Sequence, residues 1–396
     1  MLSEIDHQLL HVWARRLLGR EKGAPRIAVV GNCQSFGIAY GMKLLIPHAH
    51  VDRFTIVRKG VTTLDMLAKT LAGYDRVFSL EFQPGFVRGG GWEELKALLP
   101  DVAPIPSIVF SGFHPDTIYI LDPTRAGYPI EGPTGPYHSA IALFAYLRGM
   151  SVDQTVALFG EPLFEALGYF DVWQDSAREF LEFAKASGLD LSADLIRWSR
   201  SGPFMYSMNH PKAHVLFDVA KALLAKAGMT TASVEFADFA VDDIVRGVVF
   251  PVYPEIAERY GHRGSYLFKR SNYRLARNVG QFDDLRGYVE GSFAVYAQHE
   301  RAQLMAPRMV EWEANPEVGK LFDHVFLAME YVQGQTLEFF PETPNIVVTA
   351  ATPARPGEPV GPRTWSQHWD GAVWTAGIPV SPDRAEAPET MPLVLG

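Results

Sequence analysis

The residues best suited to chemistry lie in three short stretches. The first is Gly31-Asn32-Cys33-Gln34-Ser35, which holds the chain's only cysteine. The second is Ser111-Gly112-Phe113-His114-Pro115-Asp116, and the third is Asn209-His210-Pro211. A thiol beside an imidazole supplies a nucleophile and a base, and a third polar group can hold the base's tautomer. His210, or alternatively His114, is the candidate base; Asn209 or Asp116 would orient it. The backbone N–H groups around Gln34, with the Asn32 and Gln34 amides, could stabilise an oxyanion during acyl transfer. A lone cysteine is more often a small buried hydrophobe than a nucleophile, so it is the whole pentapeptide that points to function.

These residues need a scaffold that brings them together. Ile27–Val30 reads as a buried strand running straight into Gly31, and Phe36–Leu45 reads as a helix. A strand, a tight polar turn and a helix N-terminus present reactive groups at the carboxyl edge of a parallel sheet. Further strands are expected at Val51–Val57, Arg76–Leu80 and Ile105–Phe110. Helices are expected at Thr62–Ala72, capped by Thr62 or Thr63, and at Trp92–Leu99. Strands alternating with helices predict an α/β fold: a parallel sheet of βα units in a Rossmann-like three-layer core. The loops after the strands, 31–35, 81–91 and 111–116, should form the functional edge.

Four segments follow: an N-terminal helix over 1–25, an α/β core over 26–228 with a helical insertion at about 150–200, a helical part over 229–320, and a Pro- and Trp-rich extension over 321–396. Tyr137–Arg148 has a helical apolar period with His138 in its first turn, and Ala213–Ala227 is a strong helix. At the entrance to that helix Asn209 has a purely structural reading as its N-cap, which leaves His210 without a role.

Composition narrows the function. Lys and Arg total 36 against 45 Asp and Glu, a net charge of −9, so no broad cationic face exists for nucleic acid. One cysteine excludes an internal disulfide and a Cys-rich zinc site. His114, Asp116, His138 and His210 are plausible metal ligands by type but follow no spacing motif. No apolar run is long enough to span a membrane, and nothing resembles a signal peptide, so a cytoplasmic protein is expected. Arg88, in the Gly-rich loop 84–91, and the cluster Lys269, Arg270, Arg274 and Arg277 could meet phosphate groups.

Taken in order, strand–Gly31-Asn32-Cys33-Gln34, Phe110–Asp116 and Asn209-His210-Pro211 resemble the WcbI family of polysaccharide-biosynthesis proteins, over roughly Arg26 to the 260s. The resemblance implies binding of coenzyme A or acetyl-CoA and transfer of an acetyl or other acyl group to a sugar hydroxyl of a surface or capsular polysaccharide. Cys33, His210, His114 and Asn209 would be catalytic. Gly31, Asn32, Gln34, Ser35, Arg88, Lys269 and Arg270 would contact the cofactor, and Asp116 and His138 the carbohydrate acceptor. The turn also looks loosely like that of SGNH-type hydrolases, which leaves an esterase acting on acylated glycans as an alternative; a non-catalytic binding module is another. The C-terminal extension could pack on the body or support self-association as a homo-oligomer.

Overall fold

A computed structural model describes residues 3–19, 23–56, 60–125, 128–271 and 281–323, with the backbone of the strand pair His368–Trp369 and Trp374–Thr375. The rest of the 321–396 extension, and Arg274 and Arg277, lie outside the described residues.

In chain order the first elements are α1 (Glu4–Leu17), β1 (Arg26–Gly31), α2 (Gln34–Leu45), β2 (His50–Thr55), α3 (Leu64–Leu71), β3 (Arg76–Leu80), α4 (Trp92–Leu98) and β4 (Ala103–Ile105). They are followed by helices α5 (Ala140–Leu147), α6 (Val152–Ala157), α7 (Glu161–Ala166), α8 (Val172–Ala186), α9 (Ser192–Ser201) and α10 (Ala213–Lys226). The four strands form one parallel sheet in the order β2-β1-β3-β4, with Val29 opposite both Arg53 and Phe78.

This order dictates the layers. A right-handed crossover from β1 to β2 and another from β2 back across β1 to β3 must put α2 and α3 on opposite faces. Alternation along β1 serves both: Ala28 and Val30 join Phe54, Leu67, Leu71 and Leu95 in a core with Ile5 and Leu9 of α1, leaving Ile27 and Val29 to the α2 face. There α2 packs closely on α10. A Cβ added at Gly41 would come 3.2 Å from the Phe217 Cα, and one at Gly37 would overlap the Leu216 side chain. The two glycines therefore set how near the helices approach. The topology reverses between β1 and β3, the position at which open α/β sheets hold their ligands.

Local signals account for most element ends. Thr63 caps α3 by accepting from Met66 N, and Ser139 caps α5 by accepting from Ala142 N. His138 thus precedes α5 instead of entering its first turn. The expected strand Ile105–Phe110 is displaced to Ala103–Ile105, and Pro106 directly after it lacks the N–H that would continue the ladder. Asn209 is not the N-cap of α10; Lys212 holds that position. Asn209 sits instead in the two-residue turn of a hairpin pairing Met205–Ser207 with His210–Pro211.

The chain forms two compact units that interleave in sequence. One comprises 1–119, 130–138 and 170–288, and the other 120–129, 139–169 and 289–396. The first contains the sheet. Within the second, Phe144 packs edge-on against Trp312 and Phe322, and Tyr146 against Phe293 and Tyr296.

Candidate functional site

At the carboxyl end of β1 the chain turns through Asn32 and Cys33 into α2. The Asn32 side chain accepts from Gln34 N at 3.0 Å, and its carbonyl accepts from Ser35 N at 3.1 Å and from Ser35 Oγ at 2.6 Å. The first helical N–H groups thus have partners within the turn. Cys33 is the N-cap residue, half-buried, with its sulfur 4.0 Å from Asn32 Oδ1. Burial pushes the Cys33 thiol up, partly offset by the N–H groups of Cys33 and Gln34 directed at the sulfur. The resting group is a thiol, not a thiolate.

Gln34 is 1% exposed and makes the connections that assemble the site. Its Nε2 donates to the carbonyls of Ile108, at 2.9 Å, and Asn209, at 3.0 Å, while its Oε1 accepts from Ile108 N. Phe110 N donates to Met208 O at 2.7 Å. The turn after β1, the segment after β4 and the 205–211 hairpin are thereby tied together at one sheet edge. Every polar hydrogen of the Gln34 amide is used internally, so the oxyanion role expected for that amide has no free donor behind it.

Around this tie lies a network of neutral polar groups. Tyr137 Oη donates to Asn209 Oδ1 at 2.5 Å, and Asn209 Nδ2 donates to Tyr119 Oη at 2.9 Å. Ser207 Oγ reaches Asn209 Oδ1 at 3.5 Å. The two ring nitrogens of His210 lie 3.4 and 3.3 Å from Tyr137 Oη. Burial pushes the His210 imidazole down to about 4, so it is neutral at neutral pH. Both phenols are raised, first by burial; Cys33 contributes to each electrostatically, which places the sulfur in their neighbourhood.

The other expected residues go elsewhere. His114 is 2% exposed, with Nε2 2.9 Å from the Phe250 carbonyl and Nδ1 buried without a partner. Asp116 is fully buried and accepts from Tyr253 Oη at 2.7 Å. His138 is fully buried with Nε2 2.9 Å from the Ile130 carbonyl. Arg88 is exposed, its carbonyl accepting from Leu64 N at the start of α3. Lys269 Nζ donates to the carbonyls of Gly247 and Arg270, while Arg270 makes a two-pronged ion pair with Asp283. Among the described residues no group of His, Cys, Asp and Glu side chains could hold a metal ion.

Tyr119 and Tyr137 are the members that sequence reasoning missed. Tyr137 reads as the first residue of an apolar helix, and nothing in its spacing relates it to a hairpin some seventy positions later.

A family model described as polysaccharide biosynthesis enzyme WcbI matches residues 26–232, more than half of the chain and all three motifs. The chain belongs to the WcbI family. A solved structure described as WcbI, a novel polysaccharide biosynthesis enzyme, in its native form without a disulfide bond between CoA and a cysteine, superposes with a TM-score of 0.52. The match covers 79% of this chain and 98% of that one at 15% identity, and so speaks to the shared fold. No curated protein matches the sequence. In this chain the hairpin and the cysteine turn are the two halves of one edge, joined by Gln34. No helix among the described residues is long and apolar enough to cross a membrane.

Proposed function

We propose that this WcbI-family protein transfers an acyl group, acetyl in the simplest case, from coenzyme A to a sugar hydroxyl during synthesis of a surface polysaccharide. The observation that carries the reading is the Gln34 tie, which makes neighbours of the only cysteine and the Asn209-His210 pair at the sheet's carboxyl edge. The solved relative is described in terms of CoA and a cysteine; here the corresponding thiol would be Cys33, with the CoA sulfur beside it.

His210, kept neutral by burial, has an imidazole lone pair ready to accept the acceptor hydroxyl's proton. The sugar oxygen then bonds to the thioester carbonyl carbon, the C–S bond breaks, and the departing CoA sulfur receives the proton from His210. Cys33 lines the thioester site as a thiol. A covalent acyl-enzyme would require a thiolate, and the burial of Cys33 opposes that. Direct transfer needs only a base and an oxyanion hole. Among the described residues no carboxylate bonds to His210, which separates the site from a literal SGNH hydrolase triad.

The test is calorimetric titration of the full chain with CoA and acetyl-CoA, beside Cys33→Ala, followed by acceptor screening for CoA release. Saturable binding, weakened in the variant, is expected. Ester hydrolysis without CoA affinity would replace this reading with the esterase.

A further inference from the structure

As the sugar oxygen bonds to the thioester carbon, negative charge collects on the carbonyl oxygen, and that charge needs a hydrogen-bond donor already in place. The turn after β1 has spent most of its donors. Both hydrogens of the Gln34 amide go to Ile108 and Asn209, and Gln34 N donates to Asn32 Oδ1. Ser35 N and Oγ both donate to the Asn32 carbonyl. The Tyr119 and Tyr137 hydroxyls are each engaged by Asn209.

The Asn32 side chain differs from all of these. An amide presents an oxygen on one side and an NH2 group on the other. A backbone N–H can only donate, so the atom 3.0 Å from Gln34 N is the oxygen, and the orientation of this amide is settled. The Cys33 sulfur lies 4.0 Å from the same oxygen. That leaves Nδ2 on the other side of the amide with no partner among the described residues, on a residue that is only half-buried.

We infer that Asn32 is a catalytic residue: its Nδ2 donates to the thioester carbonyl oxygen and holds the charge that forms there. The inference rests on the transfer reading. When the sugar oxygen attacks, the carbonyl π pair moves onto that oxygen, where an Asn32 N–H meets it. The pair returns to the carbon as the C–S bond breaks and the CoA sulfur leaves. No proton passes through Asn32. Its oxygen is fixed by the helix start, so its nitrogen is oriented before the substrate arrives, and such preorganisation is what makes a donor effective.

The experiment binds acetyl-CoA with a 13C-labelled carbonyl to the full chain, without acceptor, and reads the carbonyl stretch by difference infrared spectroscopy. In the wild type the band should lie below that of free acetyl-CoA, because a hydrogen bond to the oxygen weakens the C=O bond. Asn32→Asp keeps the side-chain shape and an oxygen for Gln34 N but has no NH2, and the band should return toward its free position. Asn32→Ser keeps an oxygen without the added charge, and is the second route if the first variant does not fold. With an accepted sugar, each variant should lower kcat by roughly 100- to 1,000-fold, with little change in the KM for acetyl-CoA. A band that stays in place in a folded variant, or an unchanged kcat, would overturn the role. So would a loss of CoA affinity as large as the loss of kcat, which would make Asn32 a cap of the turn and nothing more. If acetyl-CoA does not bind the wild-type chain, the transfer reading falls and this role with it. Binding with a band indifferent to the substitution removes Asn32 alone.

Discussion

His210 and His114 look alike in sequence: each is followed directly by a proline and has a polar residue within two positions, Asn209 or Asp116, and each loop is aimed at the same sheet edge. In the structure they have opposite surroundings. His210 is half-buried at a hairpin end, facing Tyr137 and Asn209, one residue from the backbone carbonyl that Gln34 ties to the cysteine turn. His114 is fully enclosed, its Nε2 on the Phe250 carbonyl, with Phe250 also packing edge-on against it. Residue type and loop position are shared; access to a substrate is not. A reactive side chain becomes a site through its exposed edge and its connection to other functional groups.

The comparison is broken most directly by removing each ring in turn. His210→Ala should lower turnover by roughly 100- to 10,000-fold, the usual range for a general base. CoA affinity by calorimetry should hold, because the change deletes a proton acceptor and not the binding surface. Turnover at the wild-type rate would sink His210 as the base.

Acidity should affect both histidines in the same direction. Burial holds His210 at about 4 and His114 at about 3, against an ordinary value of 6.5. Above pH 6.5 folded and unfolded chains are both neutral at these positions, and no proton-linked penalty exists. Below it the unfolded chain takes up protons that the folded one refuses, so stability falls as pH drops from 6.5 through 4. His210 alone should account for about 3 kcal/mol by the time pH reaches its folded value. Urea midpoints measured between pH 7.5 and 4.5 should decline accordingly. The kcat/KM profile should stay flat across that interval for His210, with its acid limb only near pH 4.

His114→Leu separates the two residues. The Phe250 carbonyl loses its partner in a dry setting, which should cost about 2 kcal/mol in urea unfolding at pH 7.5. The decline with acid should also become shallower, since one of the two refusing groups is gone. Turnover should persist at close to the wild-type rate. A loss of turnover comparable with that of His210→Ala, in a folded protein, would return His114 to the chemistry.

Much of the scaffold was legible. Val29 and Val30 running into Gly31, Thr63 ahead of an apolar helix, and the regular βα alternation each rest on short-range steric and hydrogen-bonding preferences, and the parallel sheet follows from them. The order of the Gly31–Ser35, 111–116 and 209–211 motifs was also enough to suggest the family. The network was not legible, because its members carry ordinary local roles. Asn209 before a helix mimics an N-cap, and only the two-residue hairpin turn reveals otherwise. Tyr137 resembles core packing, and its hydroxyl gains meaning from Asn209, a partner far away in sequence. Lys269 and Arg270 look like free charge, yet a carbonyl pair and Asp283 occupy them. Long-range partnership decides these cases, and periodicity does not encode it.

Gln34 gives the subtlest test, since its side chain joins the two halves of the site without offering a free group to a substrate. Gln34→Ala leaves the buried Ile108 N–H and carbonyl unpaired and releases the Asn209 carbonyl. The helix α2 and the sheet remain packed through Gly37, Gly41 and α10, so the fold should survive with a loss of about 1–2 kcal/mol. The hairpin, no longer held to the cysteine turn, should let His210 drift from its partner groups. The expected result is a fall in kcat of roughly 10-fold, with smaller change in CoA affinity, because positioning errors of about 1 Å weigh on the reacting geometry more than on binding. Gln34→Glu sharpens the point: it keeps the length and one acceptor for Ile108 N but replaces both donors. If Gln34→Glu loses as much turnover as Gln34→Ala, the donors to Ile108 and Asn209 are what hold the edge together. If it behaves as wild type, shape and the acceptor for Ile108 N suffice there, and the hairpin must be held through the Phe110–Met208 backbone bond to the segment that carries Ile108.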